Sequence, residues 1–177
     1  MGDSLTAGYG LSEENAYPAH IQRFIEKDQL DWTAINAGIS GDTTKGGLHR
    51  LNWVLRSSPT VVFVALGSND GLRGTDLSYT RTNLKQIIVE LKKAKIKVVL
   101  SGMQLPANYG ESYRKKFKEI FPRLARKYKI AFYLFLLDGV ALKPELNLAD
   151  GLHPNEKGQE IIAEKVYEFL KPILKKR

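Results

Sequence analysis

The sequence predicts an α/β fold of three layers, α/β/α, built on a parallel sheet with helices on both faces. Two observations predict it. Short apolar runs alternate along the chain with segments of helical periodicity, the order of strand, crossover helix and strand. The run Val61-Val62-Phe63-Val64-Ala65-Leu66 also carries no polar alternation, as expected of a strand covered on both faces.

The elements follow in order. Pro18 suits a first helical position, and Ile21, Phe24 and Ile25 come after it at helical spacing. Trp32-Thr33-Ala34-Ile35-Asn36 reads as a short strand, and Leu48, Leu51 and Leu55 mark a second helix. After the apolar run at 61–66, Leu84, Ile87, Ile88 and Leu91 form an i, i+3, i+4, i+7 stripe for a third helix. Lys97-Val98-Val99-Leu100-Ser101-Gly102 is the next strand. Phe117, Ile120, Phe121, Leu124 and Tyr128 define a fourth helix with a kink expected at Pro122. Ile130-Ala131-Phe132-Tyr133-Leu134 is the last strand, and Ile162, Val166, Phe169 and Leu170 mark the final helix. These stripes read as core faces; Trp32, Trp53, His20 and His49 read as core or ordinary helix residues.

Composition narrows the class. At 177 residues and 43% hydrophobic, the chain supports one domain, residues 1–177, with a sizeable core, which excludes long disorder. It has no cysteine, so disulfides and thiolate metal sites are excluded. No apolar run approaches the roughly 20 residues of a membrane helix, and polar Gly2-Asp3-Ser4 stands where a leader's apolar stretch would begin. The net charge is +8, but Lys92-Lys93, Lys115-Lys116-Phe117-Lys118, Arg126-Lys127 and Lys175-Lys176-Arg177 have no aromatic ladder between them. They read as solvated helix faces, and nucleic acid is not an expected partner.

In a parallel sheet, chemistry gathers at the carboxyl ends of the strands. The segments that follow the strands are Asn36-Ala37-Gly38-Ile39-Ser40-Gly41-Asp42-Thr43, Gly67-Ser68-Asn69-Asp70-Gly71 and Gln104-Leu105-Pro106-Ala107-Asn108-Tyr109-Gly110, with Asp150-Gly151-Leu152-His153-Pro154 before the last helix. All are rich in glycine and small polar residues. Asp150 and His153 are spaced so that, on a tight loop, the carboxylate reaches one imidazole nitrogen, fixes the tautomer and leaves the other nitrogen as a base. Ser4, opening a Gly-rich turn, is the candidate nucleophile for that base. The Gly41 N–H, the Asn69 amide and the Ser4 N–H are candidate donors to a developing oxyanion.

Four segments resemble the four blocks of the SGNH hydrolases, also called the GDSL family: Gly2-Asp3-Ser4-Leu5, Gly38-Ile39-Ser40-Gly41-Asp42-Thr43, Gly67-Ser68-Asn69-Asp70 and Asp150-Gly151-Leu152-His153-Pro154. Asn69-Asp70-Gly71-Leu72-Arg73-Gly74 and Leu105-Pro106-Ala107-Asn108-Tyr109-Gly110 resemble a narrower branch, the bacterial multifunctional thioesterase/lysophospholipase L1/arylesterase group. The resemblance implies a flavodoxin-like three-layer fold and a serine esterase without metal or organic cofactor. Ser4 would be the nucleophile, His153 the general base and acid, Asp150 its orienting partner, and Ser4, Gly41 and Asn69 the oxyanion hole. Loop residues 71–75 and 105–109, with Gly71, Leu72, Arg73, Leu105, Pro106 and Tyr109 foremost, would line the acyl site. The implied substrates are small esters or thioesters, short to medium acyl and aryl, and lysophospholipids, with transient contact with a lipid surface.

The family also has a first strand ahead of the serine, in the middle of the sheet, whereas here Met1-Gly2-Asp3 alone precede Ser4. That strand is therefore expected to be missing, with a longer native chain favoured over closure of the gap by its neighbours or pairing with another chain. Localisation stays open: cytoplasmic is the expectation for the chain as it stands, and periplasmic or exported if a leader lies upstream. Two rival functions remain at this stage: a carbohydrate acetylesterase, and a non-enzymatic flavodoxin-like phosphate- or nucleotide-binding domain. The second leaves Asp150 and His153 without a task.

Overall fold

The structure, a computed structural model, describes residues 1–175. Its helices and strands in chain order are α1 (Ser4–Ala7), α2 (Tyr17–Lys27), α3 (Thr44–His49), α4 (Leu51–Arg56), β1 (Val61–Val64), α5 (Ser68–Leu72), α6 (Leu77–Lys93), β2 (Lys97–Ser101), α7 (Glu111–Tyr128), β3 (Ala131–Tyr133) and α8 (Glu156–Leu174). They fall into two compact units. One comprises Met1–Asp3 and Gly41–Leu136, the other Ser4–Ser40 and Leu137–Arg177.

The first unit holds the sheet, in the order β1-β2-β3 and parallel throughout. Val61 pairs with Lys97 and Val64 with Leu100; Val99 pairs with Ala131 and Ser101 with Tyr133. The fold is α/β with a parallel sheet, as the alternation of runs predicts. The stripe of α6 is its core face: Leu84, Ile87, Ile88 and Leu91 are completely buried. On α7, Phe117 and Phe121 are buried edge to face, 5.3 Å between ring centres. Pro122 lies inside α7 without dividing it.

Met1 and Gly2 add a rudiment of a strand to the end of β1. Gly2 makes a parallel bridge with Ala65, the Met1 amine donates to Phe63 O at 3.0 Å, and Ala65 N donates to Met1 O at 2.9 Å. Burial and then the nearby Arg50 guanidinium push the pKa of that amine down from 8.0 to about 5. The helix expected around Leu48, Leu51 and Leu55 is two helices, α3 and α4, parted at Arg50. The Arg50 guanidinium is spent on Asp42 Oδ2 at 2.7 Å and on Gly2 O at 2.9 Å. Trp53, expected in the core, is 56% exposed on α4, because Leu51 and Val54 take the buried face of that short helix.

The second unit is built on α2 and α8, which pack against each other, together with α1 and the short 3-10 turns Glu13–Asn15 and Pro144–Leu146. Ile162, Val166 and Leu170 of α8 and Ile21 and Ile25 of α2 are buried. Asn155 caps α8 by accepting from Gly158 N, so the helix begins two residues after Pro154. The expected strand at 32–36 does not form. Its polar groups pair with helical neighbours instead of a ladder: Trp32 Nε1 donates to Leu174 O at 3.1 Å, and Ala34 N to Gln22 Oε1 at 2.7 Å.

Candidate active site

Ser4 begins α1, a single turn tied down on several sides. Its carbonyl accepts from Gly8 N and Tyr9 N, both at 3.1 Å. Gly8 closes the turn at φ 77°, where a Cβ would also stand 2.7 Å from that of Ala16, so any larger residue meets both strain and a clash. Gly38 presses so closely on the backbone of Thr6 and Ala7 that a Cβ there has no room. From α8, the buried Gln159 reaches across: Nε2 donates to Leu5 O at 3.2 Å, and Oε1 accepts from Tyr17 N at 2.9 Å. Thr6 Oγ1 and Tyr17 Oη share a buried hydrogen bond of 3.0 Å.

The other half of the site is the loop before α8. Leu148 N donates to His153 O at 2.7 Å, and Asn155 N donates to Leu146 O at 3.0 Å, so the loop is pinned at its neck. Asp150 Oδ1 accepts from the backbone N–H of Leu152 and of His153, each at 2.9 Å. Asp150 Oδ2 lies 2.6 Å from His153 Nδ1. The His153 backbone N–H above all, then its side chain and the Leu152 N–H, bring the Asp150 pKa down to about 2 against a partial burial penalty. An ionised carboxylate can only accept, so Nδ1 carries a proton and Nε2 presents its lone pair. Nε2 stands 2.9 Å from Ser4 Oγ. The order is therefore carboxylate, imidazole, hydroxyl, an arrangement that can withdraw the proton of a serine as it attacks a carbonyl carbon.

Ser4, Asp150 and His153, 149 residues apart at the extremes, are thus brought together inside the second unit. Tyr9 belongs with them: its ring lies 4.5 Å from the imidazole, tilted by 39°, and is half exposed. Neither Tyr9 nor Gln159 was singled out in the sequence. Gln159 left a trace, a polar residue in register with the buried stripe Ile162, Val166 and Leu170; Tyr9 left none.

The remaining expected site residues lie in the first unit. Asn69 Nδ2 donates to Asp42 O at 2.9 Å, and Arg73 Nη2 donates to Gly41 O at 3.0 Å. The buried Asp70 carboxylate accepts from Thr44 N at 2.8 Å and from Thr44 Oγ1 at 2.5 Å. That bond pair welds the loop of Gly41 to the loop of Asn69. The stretches 71–75 and 105–109 also meet: Tyr109 Oη donates to Leu72 O at 2.9 Å, and Gly71 packs against Leu105. Gly71 and Leu105 are buried, Leu72, Pro106 and Tyr109 half-buried, and Arg73 exposed. Among the described residues no three His, Asp or Glu side chains gather as a metal-holding group.

Residues 1–161 match the GDSL-like Lipase/Acylhydrolase family. The chain belongs to that family. Over 175 residues this acylhydrolase is 40% identical to the thioesterase 1/protease 1/lysophospholipase L1 of Escherichia coli K12, covering 98% of this chain and 83% of that protein. It is 39% identical over 171 residues to an arylesterase of Vibrio mimicus, covering 96% and 86%. Among solved structures it is similar to the psychrotrophic esterase EstA of a Pseudoalteromonas species, inhibited by monoethylphosphonate. That match has a TM-score of 0.94 and 35% identity over 99% of this chain and 96% of that one. The family match and these relatives do not favour the phosphate- or nucleotide-binding alternative.

Proposed function

We propose that this chain is a serine esterase that hydrolyses small carboxylic esters and thioesters through an acyl-enzyme on Ser4. The observation that carries the reading is the 2.9 Å hydrogen bond between Ser4 Oγ and His153 Nε2, backed by Asp150 at 2.6 Å from Nδ1. His153 takes the Ser4 proton as Oγ bonds to the acyl carbon. The tetrahedral oxyanion is held by the N–H groups of Ser4 and Gly41 and the side-chain amide of Asn69. The bond to the leaving oxygen or sulfur then breaks, and His153 delivers its proton there. Water repeats the sequence: His153 takes its proton, the new bond to carbon forms, and Ser4 leaves as the hydroxyl with the acid released. The roles of Gly41 and Asn69, and of 1–177 as one hydrolase domain, rest on the block pattern Gly-Asp-Ser-Leu, Gly41, Asn69 and Asp-Gly-Leu-His. Loops 71–75 and 105–109 line the acyl side.

The substrate range we assign is short to medium acyl and aryl esters, thioesters and lysophospholipids. It is supported by the similarity to the Escherichia coli thioesterase 1/protease 1/lysophospholipase L1 and the Vibrio mimicus arylesterase. The test is labelling with a fluorophosphonate followed by mass spectrometry. The label is expected on Ser4, and Ser4→Ala is expected to lose labelling together with at least about 10³-fold in aryl-ester turnover, with its circular dichroism unchanged. Label on another residue, or turnover retained by Ser4→Ala, overturns the assignment.

A further inference from the structure

We infer that the groove between α6 and α7 is a docking face for an anionic phospholipid bilayer. The groove lies wholly within the first unit and has a volume of about 960 Å³. Arg81 and Lys85 of α6 and Lys115, Lys116, Arg123 and Lys127 of α7 stand along it, against a single carboxylate, Glu119. Glu119 is engaged by Arg123. The other five cations enter no ion pair among the described residues. Basic residues that look scattered along the sequence thus converge where the two helices meet, concentrating much of the chain's net charge of +8.

Leu77, Ile120 and Leu124 are the apolar part of its lining. Apolar side chains beside lysines and arginines with aliphatic stems are the combination by which basic side chains lie along a lipid surface with their heads toward phosphate. Nucleic acid would call for aromatic rings spaced between the cations to stack on bases. The groove's aromatic is Tyr128, at one end, and Lys127 Nζ already sits over its ring at 5.9 Å. Charge and chemistry therefore fit a sheet of anionic headgroups better than a stacked polynucleotide. Each cation near such a surface contributes roughly a fivefold factor in partitioning.

The experiment uses the full chain carrying Ser4→Ala, so that hydrolysis cannot alter the lipid. It is sedimented with vesicles of phosphatidylcholine alone or mixed with phosphatidylglycerol, with duplex DNA as competitor. Binding is expected to the mixed vesicles only, and to be lost at about 0.5 M salt, where charges are screened over a few ångströms. Lys115→Glu, Lys116→Glu and Lys127→Glu combined should weaken partitioning about a hundredfold or more. The same three changes in the Ser4-containing chain should leave hydrolysis of a soluble aryl ester unaltered. Should that variant fail to fold by circular dichroism, Arg81→Gln with Lys85→Gln should still give a loss of at least tenfold. Equal binding by parent and variants, equal binding to both vesicle types, or displacement from mixed vesicles by stoichiometric DNA would overturn the proposal. Each of these outcomes is read without turnover, so it stands or falls apart from the esterase assignment.

Discussion

Asp150 divides its carboxylate between two tasks. Oδ1 holds the loop backbone and Oδ2 holds the imidazole. Asp150→Asn keeps an acceptor for the backbone but presents N–H groups toward Nδ1, which favours the tautomer with a protonated Nε2. Turnover should fall about 10²–10⁴-fold with little change in melting temperature, and a loss below tenfold would mean that Asp150 does not set the tautomer. The wild-type carboxyl, held at about 2, stays ionised through the range in which enzymes are assayed. The profile of kcat/KM against pH is therefore expected to show no limb from Asp150 in that range. The folded-state pKa of Asp150 lies below its ordinary value of 3.8. Its ionisation accordingly favours the fold above about pH 4, and that contribution disappears as pH falls through about 2. Tyr9 acts on the same ring from the side. Tyr9→Ala should lower kcat about fivefold, an aromatic contact of roughly 1 kcal/mol, while Tyr9→Phe keeps it; equal losses in both variants would implicate the hydroxyl instead.

At the scale of elements, α8 fixes the turn that carries Ser4 through one side chain. Gln159 spans from Leu5 O to Tyr17 N in a site that is almost fully buried. Gln159→Leu leaves both backbone groups without that partner, at a cost of about 1–3 kcal/mol each. Thermal unfolding should show the destabilisation, and kcat should drop as Ser4 loses its support; a melting temperature equal to wild type would count against this bracket. The elements most legible in the sequence were those whose identity is set by their own burial pattern. The run at 61–66, the stripe at Leu84, Ile87, Ile88 and Leu91, and the rings of Phe117 and Phe121 declare themselves because burial is periodic in the residue types. Trp32-Thr33-Ala34-Ile35-Asn36 misleads because strand identity also requires a ladder partner, and its backbone and indole N–H groups go to Gln22 and Leu174 instead. The break at Arg50 is invisible for a similar reason: it accompanies contacts to Asp42 and Gly2 that lie far off in the chain. Of the candidate site, the convergence of Ser4, Asp150 and His153 is legible because the proposed chemistry needs those residue types within reach of one another. Tyr9 is not, because an aromatic beside an imidazole has no spacing rule.

Over the whole molecule, the Met1 amine and His20 shift the response of stability to pH in the same sense as Asp150. The Met1 amine is lowered from 8.0 to about 5. His20 is held below its ordinary value by burial and then by Arg23. In both cases the unfolded chain binds protons that the folded one gives up, so stability rises with pH. For Met1 the gain is complete above about pH 8 and is lost as pH falls through about 5, with a ceiling of about 4 kcal/mol. For a chain that begins at Met1, melting temperature should accordingly be several degrees higher at pH 8 than at pH 5, roughly 2–4 °C for each kcal/mol; a flat profile over that range would mean the amine of that chain is solvated in the fold.

The second unit is assembled from residues 4–40 and 137–177, and the hydroxyl and the imidazole that it joins belong to opposite segments. During synthesis the chain emerges amino end first. The serine is therefore displayed long before the imidazole exists, and on the proposed mechanism a nascent or truncated product that stops short of residue 153 cleaves esters at least about 10²-fold more slowly. Ester cleavage by a translating mixture would thus count finished polypeptides rather than initiated ones.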